Sequence, residues 1–159
     1  MNKFTLRLKI WVLASVSLIF CAFLSHDPLD EQSIYIQKKL TDHYDAQQDG
    51  NTVKQYELKI TNSGFCRYKR YFLNGKTEYF SFNLVKLKTM DYLGTVNNGK
   101  LYLRTLSDDV IVQTYNDKKG DVDSMASCLI IPLKNVEAED LNDFNGKFLK
   151  MTTLLRAHK

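Results

Sequence analysis

The feature that most narrows the fold is a hydrophobic period of two that sets in at Val53 and is broken at intervals by turn residues. Tyr56, Leu58 and Ile60 alternate with Gln55, Glu57 and Lys59, and the run stops at Thr61-Asn62-Ser63-Gly64. Such a pattern specifies a half-buried strand followed by a turn. Phe65 to Leu73 and Thr77 to Lys86 are separated by Asn74-Gly75, and Asn-Gly between alternating runs is the strongest short-range hairpin signal. In the second of these runs Phe80, Phe82 and Leu84 share a face. The alternation continues through Tyr92 to Val96, Leu101 to Leu106 and Val110 to Tyr115, with Asn97-Asn98-Gly99 and Ser107-Asp108-Asp109 as turns. Asp117 to Asp121 is a polar loop, and Ser127 to Pro132 is a short apolar strand whose proline suits a sheet edge.

The two flanks of this region read differently. Asp27 before Pro28, early acids and the stripe Ile34, Ile36, Leu40, Tyr44 predict an amphipathic helix over Asp30 to Gln47. At the other end, Glu137 to Phe144 is expected as a short helix, Asn145-Gly146 as a turn and Phe148 to Leu155 as a last strand. The expected fold is mainly β: an N-terminal membrane segment and one helix, then an antiparallel meander forming a lipocalin-like small barrel or a sandwich. There is no internal repeat, and the only prolines, Pro28 and Pro132, make no proline-rich linker.

Residues 1–25 set the compartment. Lys3, Arg7 and Lys9 precede an uncharged apolar run from Ile10 to Leu24 that includes Trp11, Leu18 and Phe20, while Asp27, Asp30 and Glu31 follow it. Basic flanks stay in the cytoplasm, so this layout predicts a single-pass inner-membrane protein with residues 26–159 as one periplasmic domain. The run covers only about 22 Å of a hydrocarbon core of about 30 Å, which favours a cleaved signal. Phe20-Cys21-Ala22-Phe23-Leu24-Ser25 offers no pair of small residues for cleavage, and Leu6 and Leu8 extend the span if Arg7 and Lys9 snorkel, which favours a retained anchor. Retention is the expectation. Cys21 lacks the small preceding residues of a lipid-attachment site.

Charge and cysteines bound the rest. Three of the 22 basic residues and none of the 18 acidic ones lie in the N-terminal segment, so the remainder holds 19 against 18 and nets +1. That removes the main support for direct nucleic-acid binding. Cys66 and Cys128 are an even pair in an exported domain, as a single disulfide requires. Closing a loop of about 60 residues would contribute roughly 4 kcal/mol; the competing reading is two buried free thiols.

No sequence signature of catalysis is present. The histidines His26, His43 and His158 form no zinc-binding spacing, and neither a G-x-S-x-G motif nor a glycine-rich phosphate loop occurs. The chain is expected to be a non-enzyme without a cofactor. Asp42-His43-Tyr44-Asp45 is the one local cluster of titratable groups, and on a helix its members diverge. Arg67-Tyr68-Lys69-Arg70-Tyr71 interleaves bases with aromatics, which on a strand reads as one aromatic and one solvated basic face. Nine Phe and nine Tyr either fill a small barrel or line an apolar ligand cavity.

The order of anchor, helix and meander resembles the small co-regulator subunits of bacterial membrane-bound transcription factors, the ToxS, VtrC and PsaF/MyfF type. The residues that carry the resemblance are the Asn74-Gly75 hairpin leading into Phe80-Ser81-Phe82-Asn83-Leu84-Val85-Lys86-Leu87, then Gly94-Thr95-Val96 and Leu101-Tyr102-Leu103. Val96 stands where the pattern has a Trp. The resemblance implies a heterodimer with the periplasmic sensory domain of a membrane-bound regulator in virulence gene control. It also implies a lipocalin-like barrel that admits a hydrophobic small molecule, or a pH response for which His43 is the natural switch. The competing function is a free periplasmic or secreted β-barrel that binds a lipid or inhibits an enzyme as an immunity protein does.

Overall fold

The structure, a computed structural model, describes residues 27–48 and 52–157. The anchor residues Ile10 to Leu24, Cys21, His26 and His158 lie outside the described residues. Helix α1, Pro28–His43, opens where the sequence places it: the Asp27 carboxylate accepts from Leu29 N at 2.9 Å, and Pro28 fills the first helical turn. Asp30 and Glu31 sit at its positive end and His43 at its negative end. Leu29, Gln32, Ser33, Ile36 and Leu40 face inward. The helix stops at His43 rather than at Gln47 because Tyr44 turns extended and pairs with Leu133.

Eight strands follow: β1 Val53–Ile60, β2 Phe65–Phe72, β3 Thr77–Asn83, β4 Leu87–Gly94, β5 Gly99–Thr105, β6 Val110–Tyr115, β7 Asp123–Ala126 and β8 Cys128–Leu133. They form two antiparallel sheets, one in the order β1-β2-β3-β6-β7 and one in the order β4-β5-β8. The fold is therefore mainly β, but the strands do not close into a barrel and are not one meander. The chain changes sheet between β3 and β4, between β5 and β6, and between β7 and β8. At the first crossing the strand expected to reach Lys86 breaks at Asn83. The Asn83 side chain caps a 3-10 turn, Leu84–Lys86, and Leu84 N donates to Gly64 O at 2.8 Å, which drives Leu84 into the core. The Asn74-Gly75 hairpin forms as read, with Gly75 at φ +87° between β2 and β3.

The tail corrects the sequence reading. Residues Ala138–Ala157 are one helix, α2, that runs through Asn145-Gly146 without a turn. Its buried residues Phe144, Phe148, Met151, Thr152 and Leu155 recur at helical spacing, a stripe that satisfies a helix and would scatter over both faces of a strand. Helices α1 and α2 pack on each other; α1 also covers β1, and α2 covers the 3-10 turn and β4. Across the helix pair Lys39 Nζ lies 2.7 Å from Asp140, the Tyr35 hydroxyl donates to Asp143, and Lys147 Nζ sits 4.4 Å over the Tyr35 ring.

One continuous core joins these layers. Leu58, Ile60, Cys66, Tyr68, Phe82 and Val110 enter it from the large sheet, and Leu101, Leu103, Leu129, Ile131 and Leu133 from the small one. The interior is filled by Tyr68, Phe82, Phe144 and Phe148 among others, all fully buried. The Cys66–Cys128 bridge expected from the even count is not made, and both thiols are free. The period of two explains it. Cys66 is in phase with Tyr68 and points into the core, whereas Cys128 is out of phase with Leu129 and Ile131 and faces outward beside Arg104.

Glycine replacements test the helix and the β1–β2 turn separately. Gly146 has open space around its Cα, so Gly146→Ala should raise stability by about 1 kcal/mol, the helical preference of Ala over Gly. A turn at Asn145-Gly146 would give a loss instead. Gly64 sits at φ +85°, and a Cβ there would lie 2.5 Å from Leu155 Cδ1, so Gly64→Ala should cost at least about 1–2 kcal/mol. Urea denaturation of both variants reads the two signs.

Candidate functional site

The residues singled out by the sequence are dispersed. His43 is mostly buried at the end of α1: its Nδ1–H donates to Lys134 O at 3.1 Å, its Nε2 is 3.8 Å from Asp140, and its ring meets Phe144 edge-on. Of its neighbours, Asp42 is exposed and pairs with Lys38, while Tyr44 and Asp45 are buried. The cluster thus diverges as a helix end requires. Among the described residues no three His, Cys, Asp or Glu side chains are placed to hold a metal ion.

Burial pushes the Cys66 thiol up to about 12. Partial burial raises that of Cys128 too, with Arg104 pulling the other way. Neither is an activated nucleophile. The Asp140 carboxyl is held below the usual range, first by its hydrogen bond from Lys39 and then by the Glu137 N–H. Asp117 is lowered by Lys76, whose ammonium bridges Asp117 at 2.7 Å and Glu78 at 2.9 Å.

The interleaved run in β2 is divided by the sheet. Tyr68 and Arg70 point inward. Tyr68 donates or accepts with Tyr44 at 2.7 Å, and Arg70 pairs with Glu78 while lying about 5.5 Å over the rings of Tyr68, Phe72 and Phe80. Arg67, Lys69 and Tyr71 point outward. The two faces therefore both mix bases and aromatics, because each parity of the run contains both types.

Cross-strand register builds the outer face of the large sheet row by row. Lys59, Arg67, Ser81, Ile111 and Met125 lie side by side across the five strands, and Glu57, Lys69, Tyr79, Gln113 and Asp123 form the next row. Helix α1 meets this sheet at its edge strand β1, where Gln37 Oε1 accepts from Ile60 N and Gln37 and Thr41 lie beside Glu57 and Lys59. Ile111 and Met125, cross-strand neighbours, are 38 and 53% exposed on the outer face, and Phe65 and Tyr115 are exposed at its opposite ends. Arg67 lies 5.5 Å over the Phe65 ring and Lys69 4.9 Å over Tyr71, while the Tyr71 hydroxyl donates to Glu57 at 2.7 Å. Between Glu57, Lys59, Arg67, Lys69 and Tyr79 is an open depression of about 280 Å³. A second groove, about 250 Å³, runs between β4 and α2 past Leu87, Met90, Phe148 and Thr152.

The sequence marked the bases and aromatics of β2 but not this surface. Its rows arise from the β3–β6 and β6–β7 pairings, and the four residues of β7, Asp123–Ala126, carry no alternating apolar signal in the sequence. Among the described residues no helix is long and apolar enough to cross a membrane. No protein-family model, curated protein or solved structure matches the chain.

Two measurements follow from these environments. On alkylation of the native protein at pH 8, Cys128 should be modified first and Cys66 only on unfolding, with both thiols titrating under non-reducing conditions; a bridged pair would titrate as none. Because the folded Asp140 value is depressed, its stabilisation is complete above the unfolded carboxylate range near pH 4 and is lost as pH falls through the folded value. Asp140→Asn should therefore lower stability at pH 7 by about 1 kcal/mol or less and flatten the acid limb of the stability profile, read by denaturant titration from pH 7 to 3.

Proposed function

We propose that this chain is a membrane-tethered, extracytoplasmic accessory protein that binds and stabilises the sensory domain of a membrane-bound transcriptional regulator. The observation that carries the reading is the outer face of the large sheet. It sets Phe65, Tyr71, Tyr79, Ile111 and Met125 among Lys59, Arg67, Lys69, Glu57, Gln113 and Asp123. Aromatic residues, Met and Arg are the types enriched in protein interfaces.

The packing of the interior bears on the choice of ligand. A carrier of lipid or bile-salt type needs an enclosed apolar cavity, and here the space between the sheets and helices is taken by Tyr68, Phe82, Phe144 and Phe148. A protein surface needs no cavity. The basic flank Lys3, Arg7 and Lys9 before the apolar run supports the tether and its direction.

Affinity purification of the tagged full-length protein from membranes tests this. The expected result is recovery at full length together with a membrane-bound DNA-binding protein, whose steady-state level falls several-fold when the chain is deleted. Recovery alone, soluble and shortened by the N-terminal segment, would sink the reading.

A further inference from the structure

We propose that Lys59, Arg67, Lys69 and Tyr79 form the docking point for an acidic, partly apolar patch on the partner protein. This rests on the reading that the chain works by binding a partner, and it names the surface and its chemistry.

The register makes the case. Lys59 on β1 and Arg67 on β2 are direct cross-strand neighbours, and like charges in that relation destabilise a sheet. Neither Lys59 nor Arg67 forms an ion pair with a carboxylate of the described residues, and Lys69 has Glu57 as its cross-strand neighbour and a hydrogen bond to Tyr71, whereas Arg70, on the opposite face of the same strand, is neutralised by Glu78. Scattered unpaired surface lysines are ordinary. Three cations on two adjacent strands, two of them directly opposed, are not.

Edge protection does not account for them. Lysines guard exposed edges against strand pairing, and that role fits Lys59 on the edge strand β1. Arg67 and Lys69, however, lie on β2, which is paired on both sides. What fixes these two is aromatic: Arg67 rests over Phe65 and Lys69 over Tyr71. Cation–π contact orders a side chain without cancelling its charge, so both heads are held in place and remain able to accept carboxylates. Tyr79 stands on β3 next to Lys69 and borders the same depression. Tyr and Arg at the centre of a face are the residue types that anchor protein interfaces.

The same rows select a protein over an anionic lipid surface. Glu57 flanks the basic group on one side, and Asp123 closes the same row on the other. A uniformly negative membrane would be repelled at both ends, whereas a partner protein can present acids to the centre and neutral or basic groups to the flanks. Ile111 and Met125, continuing the Arg67 row, supply the apolar part of the contact.

The test is site-specific photo-crosslinking in the full-length protein in its native membranes, with the probe at Tyr79 and, as comparison, at Ile130 on the outer face of the small sheet. Adducts from Tyr79 should map to a partner peptide rich in Asp and Glu. Arg67→Glu should cut their yield at least tenfold while leaving the unfolding midpoint unchanged or higher, since it turns a like-charged pair with Lys59 into an opposite one. Changing the mapped acids to Lys should restore the yield. Adducts from Tyr79 to phospholipid, to a second copy of the chain or to a peptide without carboxylates would overturn the assignment, as would an undiminished yield after Arg67→Glu. Adducts from Ile130 alone would remove this face and leave partner binding standing, and adducts from neither position would remove both.

Discussion

The fold turns on Tyr44. It is the cap residue of α1, its N–H bonded to Thr41 O, and its backbone bridges Leu133 at the end of β8. Its hydroxyl bonds Tyr68 of β2 at 2.7 Å, and its ring stacks on Tyr56 of β1 with centroids 3.8 Å apart. One residue therefore ties the first helix to both sheets, through its side chain to the large one and its backbone to the small one. The neighbouring contacts Asp45 N to Pro132 O and Lys134 N to His43 O extend the same seam along β8. Two sheets of unequal width have no hydrogen-bonded closure between them, so their relative position rests on side-chain packing and on this seam. A buried hydroxyl pair is also exacting. Each oxygen left alone in the core would lose about 1–3 kcal/mol, so the pair specifies one arrangement where an all-apolar contact would tolerate several.

With the inner faces joined in this way, the interior is filled by large side chains, among them Tyr68, Phe82, Phe144 and Phe148. The two helices form a lid over the space between the sheets, and Phe144, Phe148 and Met151 of α2 complete the filling that the strands begin. What remains exposed is not equivalent on the two sheets. The small sheet shows Lys100, Tyr102 and Arg104 on β5; Arg104 pairs with Asp91 at 3.0 Å, and Lys100 faces Leu93 and Pro132. On the large sheet Lys59 and Arg67 face each other across the β1–β2 pairing, and Lys69 faces Glu57.

Local periodicity carried the strands and first helix because both depend on near neighbours in sequence. Asp27-Pro28, the alternation from Tyr56 to Ile60 and the Asn74-Gly75 hairpin each encode their geometry in a few residues. What was not legible needed distant information. The partner of β3 is β6 rather than β4, since the Asn83 cap and the Leu84 bond to Gly64 redirect the chain into a second sheet. The tail was misread because Asn145-Gly146 is a turn signal only where its flanks can pair as strands. Here five side chains at helical spacing bury against α1, the 3-10 turn and β4, and that burial outweighs the roughly 1 kcal/mol that a glycine costs an exposed helix. The cysteine pair failed for a similar reason: an even count says nothing about phase, and the two thiols are on opposite sides of the alternation.

The outer face of the large sheet illustrates how stability and function separate on such a scaffold. Buried positions are fixed by packing, and a change at Phe82 or Leu103 is felt as lost stability. Positions pointing outward from β2 and β3 are held in register by the same hydrogen bonds but contribute little to the core, so their side chains are free to be chosen for other reasons. Choosing Lys59 and Arg67 as cross-strand neighbours runs against folding, and choosing Phe65 and Tyr71 to hold the cations runs against solubility. A surface selected only to be soluble would avoid both. A rigid strand platform also lowers the ordering entropy that association must overcome, because the backbone under Arg67, Lys69 and Tyr79 is already fixed by pairing on both sides. The residues least needed by the fold are thus the ones whose chemistry is hardest to explain without a partner.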